Sequence, residues 1–598
     1  MSSGQWTVNS EQRGVGAVEV VLQAGGEWRR FADPVRVVVA EAVADVVPAL
    51  REIERAVEEE GLYAAGYLAY EAGAAYGLLT HASPTDAPPL LWFGLFRHYQ
   101  TTAPPASGDA YHFGDWRPSL DFDAYHQAIA RIKDAIAAGD TYQANYTFPL
   151  RTTFAGDPWA LFADLAAAQR ADYCAYVDLG RFVVCSASPE LFFRLDGQTL
   201  TARPMKGTAP RGLTTADDRR QIDWLHHSEK NRAENVMIVD MIRNDFGRVA
   251  RAGSVAVPAL FTVERYPTLL QMTSTVTAET DAPLGDILAA TFPCASITGA
   301  PKVRTMQIIN DLEPEPRGVY TGAIGFIAPN RRAQFNVAIR TVVVDRRRGE
   351  AVYGVGSGVV WDSDTAAEYD ECLLKARVLG VRRETDDFRL LESLRWTPET
   401  GYFLLARHLQ RLADSAEYFN IPLDASRIEQ LLVDLARRMT EPAKVRLLLD
   451  LAGQATLNSR PLIEGARPEP IRVGLARLPV SSADVRLYHK TTRRALYDAA
   501  RASRPDCDDV ILWNERGELT ESSVANLVLE IGGRCYTPPV TSGLLAGTFR
   551  AQLLEDGEIE ERVLAVDDLS RATRLWLINS VRGRQTAIVE PLAIVPRP

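Results

Sequence analysis

The sequence predicts a mixed α/β (α+β) protein of more than one domain, and three observations carry that prediction. At 598 residues the chain exceeds what one hydrophobic core organises. A composition of 46% hydrophobic and 24% charged residues is that of a globular protein with a large core. Over the first 380 residues, short β-branched runs alternate with segments of helical period. In order, Val18-Glu19-Val20-Val21-Leu22 is expected as a strand. Tyr125 to Ala138 is expected as a helix, because Ile129, Ile132 and Ile136 recur on one face and Gly139 follows. Phe182-Val183-Val184-Cys185 is a further strand. Arg346-Arg347-Arg348, between Val342-Val343-Val344-Asp345 and Gly349, is expected as a solvated hairpin turn. The polar run Arg382-Arg383-Glu384-Thr385-Asp386-Asp387 marks the junction between a first domain, 1–380, and a second, 386–598. The second divides into a small part, about 386–476, and a larger part, about 477–598.

Several function classes are excluded by the totals. A formal net charge of −11 with a pI near 5.5 offers no basic surface to nucleic acid. The longest apolar run, Leu90 to Phe96, is far short of the roughly 20 residues a membrane helix needs. Met1-Ser2-Ser3-Gly4-Gln5-Trp6 lacks a signal-peptide pattern, so a cytoplasmic location is expected. Six cysteines are scattered without a CxxC pair, which suits free buried thiols rather than disulfides or zinc.

Only seven lysines stand against 59 arginines. Where positive charge alone suffices, this chain uses arginine, and a guanidinium cannot act as a nucleophile. The lysines are therefore candidates for chemistry. Lys206 and Lys490 lie in separate halves, in segments with the character of catalytic loops, which points to two active sites.

In the first half, four segments stand out: Ser186 to Glu190, Arg203 to Thr208, Ser296 to Lys302, and Gly356-Ser357-Gly358-Val359-Val360-Trp361. Two helical stretches carry acids. Glu368, Glu371 and Lys375 fall at i, i+3 and i+7, on one face. Glu234 has Met237, Ile238 and Met241 as neighbours, the mark of a mostly buried helix, and a buried carboxylate demands a cation. Three carboxylates without His or Cys ligands suit Mg²⁺.

These six segments, in this order, resemble the chorismate-utilising enzymes, the family of the component I chains of anthranilate synthase and aminodeoxychorismate synthase. The resemblance spans residues 1–380 and implies a chorismate-utilising enzyme β-sandwich with outer helices that binds Mg²⁺ and the dianion chorismate. It implies Glu234 and Glu371 as metal ligands with Glu368 nearby. Arg340 and Lys375 would meet the enolpyruvyl carboxylate, helped by the amides of Gly356, Ser357 and Gly358, with Thr298 also at the substrate. A lysine at 206, where anthranilate synthases usually have a small residue, is the mark of the aminodeoxychorismate branch. There a neutral amine adds to ring carbon C2 while Glu190 protonates the departing C4 hydroxyl. Asn231 stands where the family more often has an acid, and Gln271 where relatives often carry His. No cysteine lies in a Gly-rich elbow, so ammonia is expected from solution or from a separate glutamine amidotransferase subunit.

The second half holds His408-Leu409-Gln410-Arg411-Leu412, His489-Lys490-Thr491-Thr492-Arg493, Leu519 to Asn526, Gly543 to Arg550, and Asn579-Ser580-Val581-Arg582-Gly583. Together they resemble the fold-type-IV pyridoxal-phosphate enzymes, above all the aminodeoxychorismate lyases. That resemblance implies a two-part fold-type-IV aminotransferase-like domain and assigns roles. Lys490 holds pyridoxal 5'-phosphate covalently and then serves as the base at C4, and Glu521 keeps the pyridine nitrogen protonated. Arg411 is the charged phosphate partner, Thr548 and Phe549 offer amides where a helix begins, and Ser580 adds a hydroxyl. Phe549 stands where relatives frequently have Thr, so only its amide can serve. His408 and His489 are expected to be structural. A homodimer through this domain is a further expectation.

Taken together, the halves predict a bifunctional folate-pathway enzyme that aminates chorismate and eliminates pyruvate to leave 4-aminobenzoate. Two alternatives stand beside it: a second half that is an amino-acid transaminase, or a non-catalytic chorismate-binding scaffold.

Overall fold

A computed structural model describes residues 18–106, 110–380, 388–462 and 469–590. The Met1–Trp6 stretch and the Arg382–Asp387 junction lie outside the described residues. The chain divides into two compact units. One is Met1–Pro210 with Ile222–Glu384, the other Arg211–Gln221 with Thr385–Pro598. The short excursion Arg211–Gln221 has no counterpart in the sequence-based division.

In the first unit two large sheets are layered face to face. Along Glu19–Ala24, Val20, Leu22 and Ala24 join Ala65 and Tyr67 of Tyr63–Leu68 and Phe326 of Ala323–Ala328 in a shared inter-sheet core. Side chains of odd and even parity go to opposite faces of a strand. Val21 accordingly packs outward with Tyr125, Ile129 and Phe162, beneath the helices Phe122–Ala137 and Pro158–Gln169. The second sheet is covered on its outer face by Val43–Glu59, Glu229–Gly247 and Leu284–Thr291. This is the β-sandwich with outer helices.

The expected helix at 125–138 begins earlier, at Phe122, because the Asp121 side chain caps it by accepting from the Ala124 N–H at 2.9 Å. Arg346–Arg348 does form the turn between Thr341–Asp345 and Glu350–Val359. Arg346 is exposed in that turn, as expected, and its guanidinium donates two hydrogen bonds to the buried Asp178, at 2.7 and 2.8 Å.

The second unit contains a four-stranded antiparallel sheet and a mixed eight-stranded sheet. The first, built on Leu390–Thr397, Ala443–Leu449 and Ala455–Pro461, packs one face against Leu405–Tyr418 and Ala425–Ala436. The second closes on itself when Glu521 of Leu519–Ser522 pairs with Asn526 of Asn526–Ile531, forming a barrel around Val473, Ile511, Leu527 and Leu577. Ile471–Leu475, placed by sequence in the small part, already belongs to the barrel sheet, where it pairs parallel with Asp509–Trp513 and Gly583–Val589. Within this unit Arg211 donates to the Tyr418 carbonyl at 2.7 Å and Tyr418 donates back to the Gly212 carbonyl at 2.8 Å.

Candidate active sites

Lys206 lies on the short strand Met205–Pro210. Its Nζ is 3.8 Å from Glu234 Oε2, on the helix Glu229–Gly247. A Cβ on Gly358 would collide with the Lys206 Nζ and with the Gln143 amide, so only glycine there lets the amine lie against the strand. The Asn235 amide holds the Lys206 carbonyl at 3.2 Å, and Ser274 fixes that amide at 2.6 Å. Gln271 donates to the Gly207 carbonyl at 2.9 Å, so it braces the lysine strand.

Gly356, Ser357 and Gly358 form regular strand backbone. They lie inside the strand Glu350–Val359, paired with Gln143–Gly156. Asn145, opposite Gly358, spends its N–H on the Thr298 carbonyl at 2.7 Å. By antiparallel alternation the N–H groups of Gly356 and Gly358 therefore point to the other edge, beyond the last Thr341–Asp345 pairing at Val342 and Tyr353. That open edge is where the cations gather. Lys375 donates to the Gly356 carbonyl at 2.8 Å and pairs with Glu371 at 2.7 Å, while Arg340 donates to the Lys375 carbonyl at 2.5 Å. The Ser357 hydroxyl points the opposite way, into the outer core, at 2.9 Å from Tyr125 OH. Thr298 is fully buried and its hydroxyl lies 3.2 Å from the carbonyls of Cys294 and Ala295. By the same alternation the Ser357 N–H faces the partner strand, and the Thr298 N–H and carbonyl are spent on Ala295 and Asn145, so both residues support the site without offering a group to the ligand.

Glu190 is buried, and its Oε1 lacks a hydrogen-bond partner among the described residues. Burial pushes its pKa up to about 7, against opposing contributions from Ser296, Lys206 and the Met205 amide. A carboxyl half-protonated near neutrality, with one oxygen unspent, is equipped to donate a proton.

The expected trio of metal carboxylates is not assembled. Among the described residues no three His, Cys, Asp or Glu side chains come together as a metal cage. Glu368 instead accepts from Ser363 Oγ at 2.7 Å. Glu371, half exposed, remains near Lys206: partial desolvation would raise its pKa, but Lys375, Lys206 and Arg340 bring it below its ordinary value. Two oxygen donors, Glu234 and Glu371, fit an Mg²⁺ that takes the rest of its shell from water and an anionic substrate, since this ion is commonly held through one or two carboxylates.

In the second unit, Lys490 is anchored by its backbone, whose carbonyl accepts from the Leu391 N–H at 2.8 Å. Burial pushes the Lys490 ammonium down to about 8, with Arg411 and Arg494 adding to the shift and Glu392 and Glu521 opposing it. Glu521 is buried on the barrel strand Leu519–Ser522. Its Oε1 accepts from Tyr497 OH at 2.8 Å and from the Leu545 N–H at 3.2 Å. Burial still raises it to about 7. A buried carboxyl so poorly compensated suits a cationic ring nitrogen as partner.

Arg411, on Leu405–Tyr418, donates to both oxygens of buried Glu392, at 2.9 and 2.7 Å, and to the Ala546 carbonyl at 3.1 Å. Burial would raise Glu392, yet Arg411 and His408 hold it at about 2. His408 bridges Glu392 at 2.6 Å and the Thr548 hydroxyl at 3.2 Å. Thr548 opens the helix Thr548–Glu555, preceded by Gly547, whose Cβ would overlap Asn526 Oδ1. Phe549 packs edge-on against Phe403, so its amide alone faces this turn. Ser580 is buried just past Arg574–Asn579. A guanidinium, a hydroxyl and the amides of a helix start fit a phosphate ester, and Lys490 with Glu521 fits the ring of pyridoxal phosphate. His489 stacks on Tyr418 and Phe419 at 4.3 and 4.9 Å, and burial takes it down to about 4, a neutral packing residue.

Sequence reasoning missed Glu392, Tyr497, Asn235 and Gln143. Glu392 alone carried a signal: it is a lone acid in the apolar run Leu390-Leu391-Glu392-Ser393-Leu394.

The two halves of the chain match two different families. Residues 17–380 match the chorismate binding enzyme family and residues 389–586 match amino-transferase class IV. Aminodeoxychorismate synthase component 1 of Escherichia coli (strain K12) is 40% identical over 259 residues, 43% of this chain and 57% of that protein. Its Bacillus subtilis (strain 168) counterpart is 41% identical over 282 residues, 46% of this chain and 60% of that protein. The chain thus spans less than two thirds of these curated relatives. In fold, the first unit resembles MenF, the menaquinone-specific isochorismate synthase from Escherichia coli, with a TM-score of 0.52 at 18% identity over 61% of this chain and 88% of that one. No helix among the described residues is long and apolar enough to cross a membrane. With 17–380 matched, this chain belongs to the chorismate binding enzyme family, and it joins that domain to an amino-transferase class IV domain of fold type IV.

Proposed function

We propose that the chain converts chorismate and ammonia to 4-amino-4-deoxychorismate in its first unit, and that compound to 4-aminobenzoate and pyruvate in its second. The observation that carries the reading is the Lys206 amine lying against Gly358, beside Glu234, with half-protonated Glu190 bearing on it. In this reading Lys206 adds to ring C2, both ring double bonds shift, and the C4 hydroxyl leaves as water with the proton of Glu190. Ammonia bonds to C4 as both double bonds shift back and the Lys206–C2 bond breaks. Arg340 and Lys375, with the Gly356 and Gly358 amides, orient the substrate carboxylate. Mg²⁺ held by Glu234 and Glu371 would supply charge neutralisation to the dianion. Ammonia comes from solution or from a separate glutaminase component, as the component 1 naming of the relatives suggests.

In the second unit Lys490 removes the C4 proton and Glu521 keeps the ring nitrogen of the cofactor protonated. Pyridoxal phosphate, when bound, supplies the electron sink for that deprotonation. The purified chain given chorismate, ammonia, Mg²⁺ and pyridoxal phosphate is expected to release 4-aminobenzoate and pyruvate in equal amounts. Appearance of neither overturns the reading, and exchange of amino groups with 2-oxo acids in place of pyruvate release identifies a transaminase instead.

Two further results are expected. Amination should fall as pH rises through about 7, because the raised Glu190 is the proton donor only below that value. Glu190→Gln should lower the rate roughly 10²- to 10⁴-fold and flatten that limb of the profile. Glu521→Gln should slow pyruvate release by a similar factor while amination is unaffected, measured with each substrate supplied separately.

A further inference from the structure

The four-stranded sheet of the second unit turns its apolar residues, Leu394, Trp396, Val445, Leu447 and Leu449, toward its helices. Its opposite face has no such packing duty, yet it is lined by cations. Arg395 lies directly across from Lys444, and Lys444 directly across from Arg460, on three adjacent strands. Arg446 shares the face, between Ser393 and Asn458. Side chains opposite one another on a sheet have Cβ atoms about 5 Å apart, where like charges destabilise the pairing. No carboxylate among the described residues forms an ion pair with Arg395, Lys444, Arg446 or Arg460, unlike Arg411 or Arg346, which have buried acids. Lys444 is moreover one of only seven lysines in the chain.

The face leads to the second site. Lys444 is exposed, yet desolvation by its crowded neighbours and the guanidinium groups of Arg582, Arg446, Arg460 and Arg494 push its ammonium below its ordinary value. The same Arg494 acts on Lys490 and on Glu521, donates to the Ser523 carbonyl, and lies over the Tyr497 ring, 4.6 Å from its centre. Arg582 follows Ser580 by two residues. A row of opposed cations that no acid in the sheet relieves, running to the base Lys490, is complementary to an anion that arrives with the substrate.

We infer that Arg395, Lys444, Arg446 and Arg460 form the specificity surface of the second unit, binding the carboxylates of a dicarboxylate substrate rather than a simple amino acid. An amino acid with a neutral side chain brings one carboxylate, on the carbon that reacts. Four cations on three strands match two carboxylates borne on a rigid skeleton, apart from the reacting amine. The inference rests on the pyruvate-eliminating reading of this unit and deepens it.

The test uses the full chain with bound cofactor and the variants Lys444→Gln, Arg446→Gln and the pair. For pyruvate release from 4-amino-4-deoxychorismate, KM is expected to rise roughly 10- to 100-fold per lost charged contact, with a much smaller change in kcat and an unchanged visible cofactor band. Without ligand the double variant should melt at a higher temperature than the parent, because repulsion is relieved. Benzene-1,3-dicarboxylate should raise the melting temperature of the parent more than benzoate does, and the double variant should lose that difference. An unchanged KM, or equal responses to the two probes in the parent, overturns the inference. If the parent releases no pyruvate yet the dicarboxylate response vanishes in the double variant, the anion surface stands and the assigned reaction fails.

Discussion

Replacing Lys206 by arginine is expected to abolish amination of chorismate while leaving the protein folded. Arginine keeps the positive charge facing Glu234, so the 3.8 Å ion pair has a substitute and no buried acid is stranded. What is lost is an amine able to bond carbon. Removing a covalent nucleophile should cost at least roughly a thousandfold in rate. Pyruvate release from supplied 4-amino-4-deoxychorismate should continue at the parental rate, since Lys206 has no part in that step. The check is chorismate consumption with ammonia alongside the pyruvate assay. Retained amination would reduce Lys206 to a charge clamp on a carboxylate, a role that arginine performs equally well.

Lys490→Arg should have the mirror-image outcome. Arginine cannot form the covalent link to the cofactor or take a proton at C4, so pyruvate release should fall at least roughly a thousandfold and the visible absorbance of the bound cofactor should shift or disappear. Amination by the first unit should persist, and 4-amino-4-deoxychorismate should accumulate. The Lys490 environment adds a pH signature. With its amine pushed down to about 8, the neutral form that captures the cofactor grows as pH rises through that value. Recovery of the absorbance band after removal and re-addition of pyridoxal phosphate should therefore accelerate across it. A pH-independent recovery would contradict the role given to burial and to Arg411.

Much of both sites was legible because their chemistry demands particular residue types. Lysine where charge alone would have been met by arginine marked 206 and 490. Glycine at 356 and 358, and acids on otherwise apolar stretches at 234 and 521, marked the surroundings. What remained hidden depended on pairing. Ser357 was expected at the substrate, but strand alternation carries its hydroxyl to Tyr125 on the outer face. Glu368 was expected beside the metal, but Ser363 claims it. Gln271, noted in the sequence as a departure from the family's His, acts as a brace on the lysine strand.

The amino-acid sequence by itself pointed to two units and to Lys206, Lys490 and nearby acids as the candidate reactive groups, since local period and residue chemistry are properties of short segments. Only the tertiary structure decided which carboxyls burial raises toward neutrality and that Glu392 holds Arg411. It alone brought Arg211–Gln221 into the second unit and aligned Arg395, Lys444 and Arg460 on one face. Burial and cross-strand register arise from residues tens to hundreds of positions apart, and no local pattern encodes them.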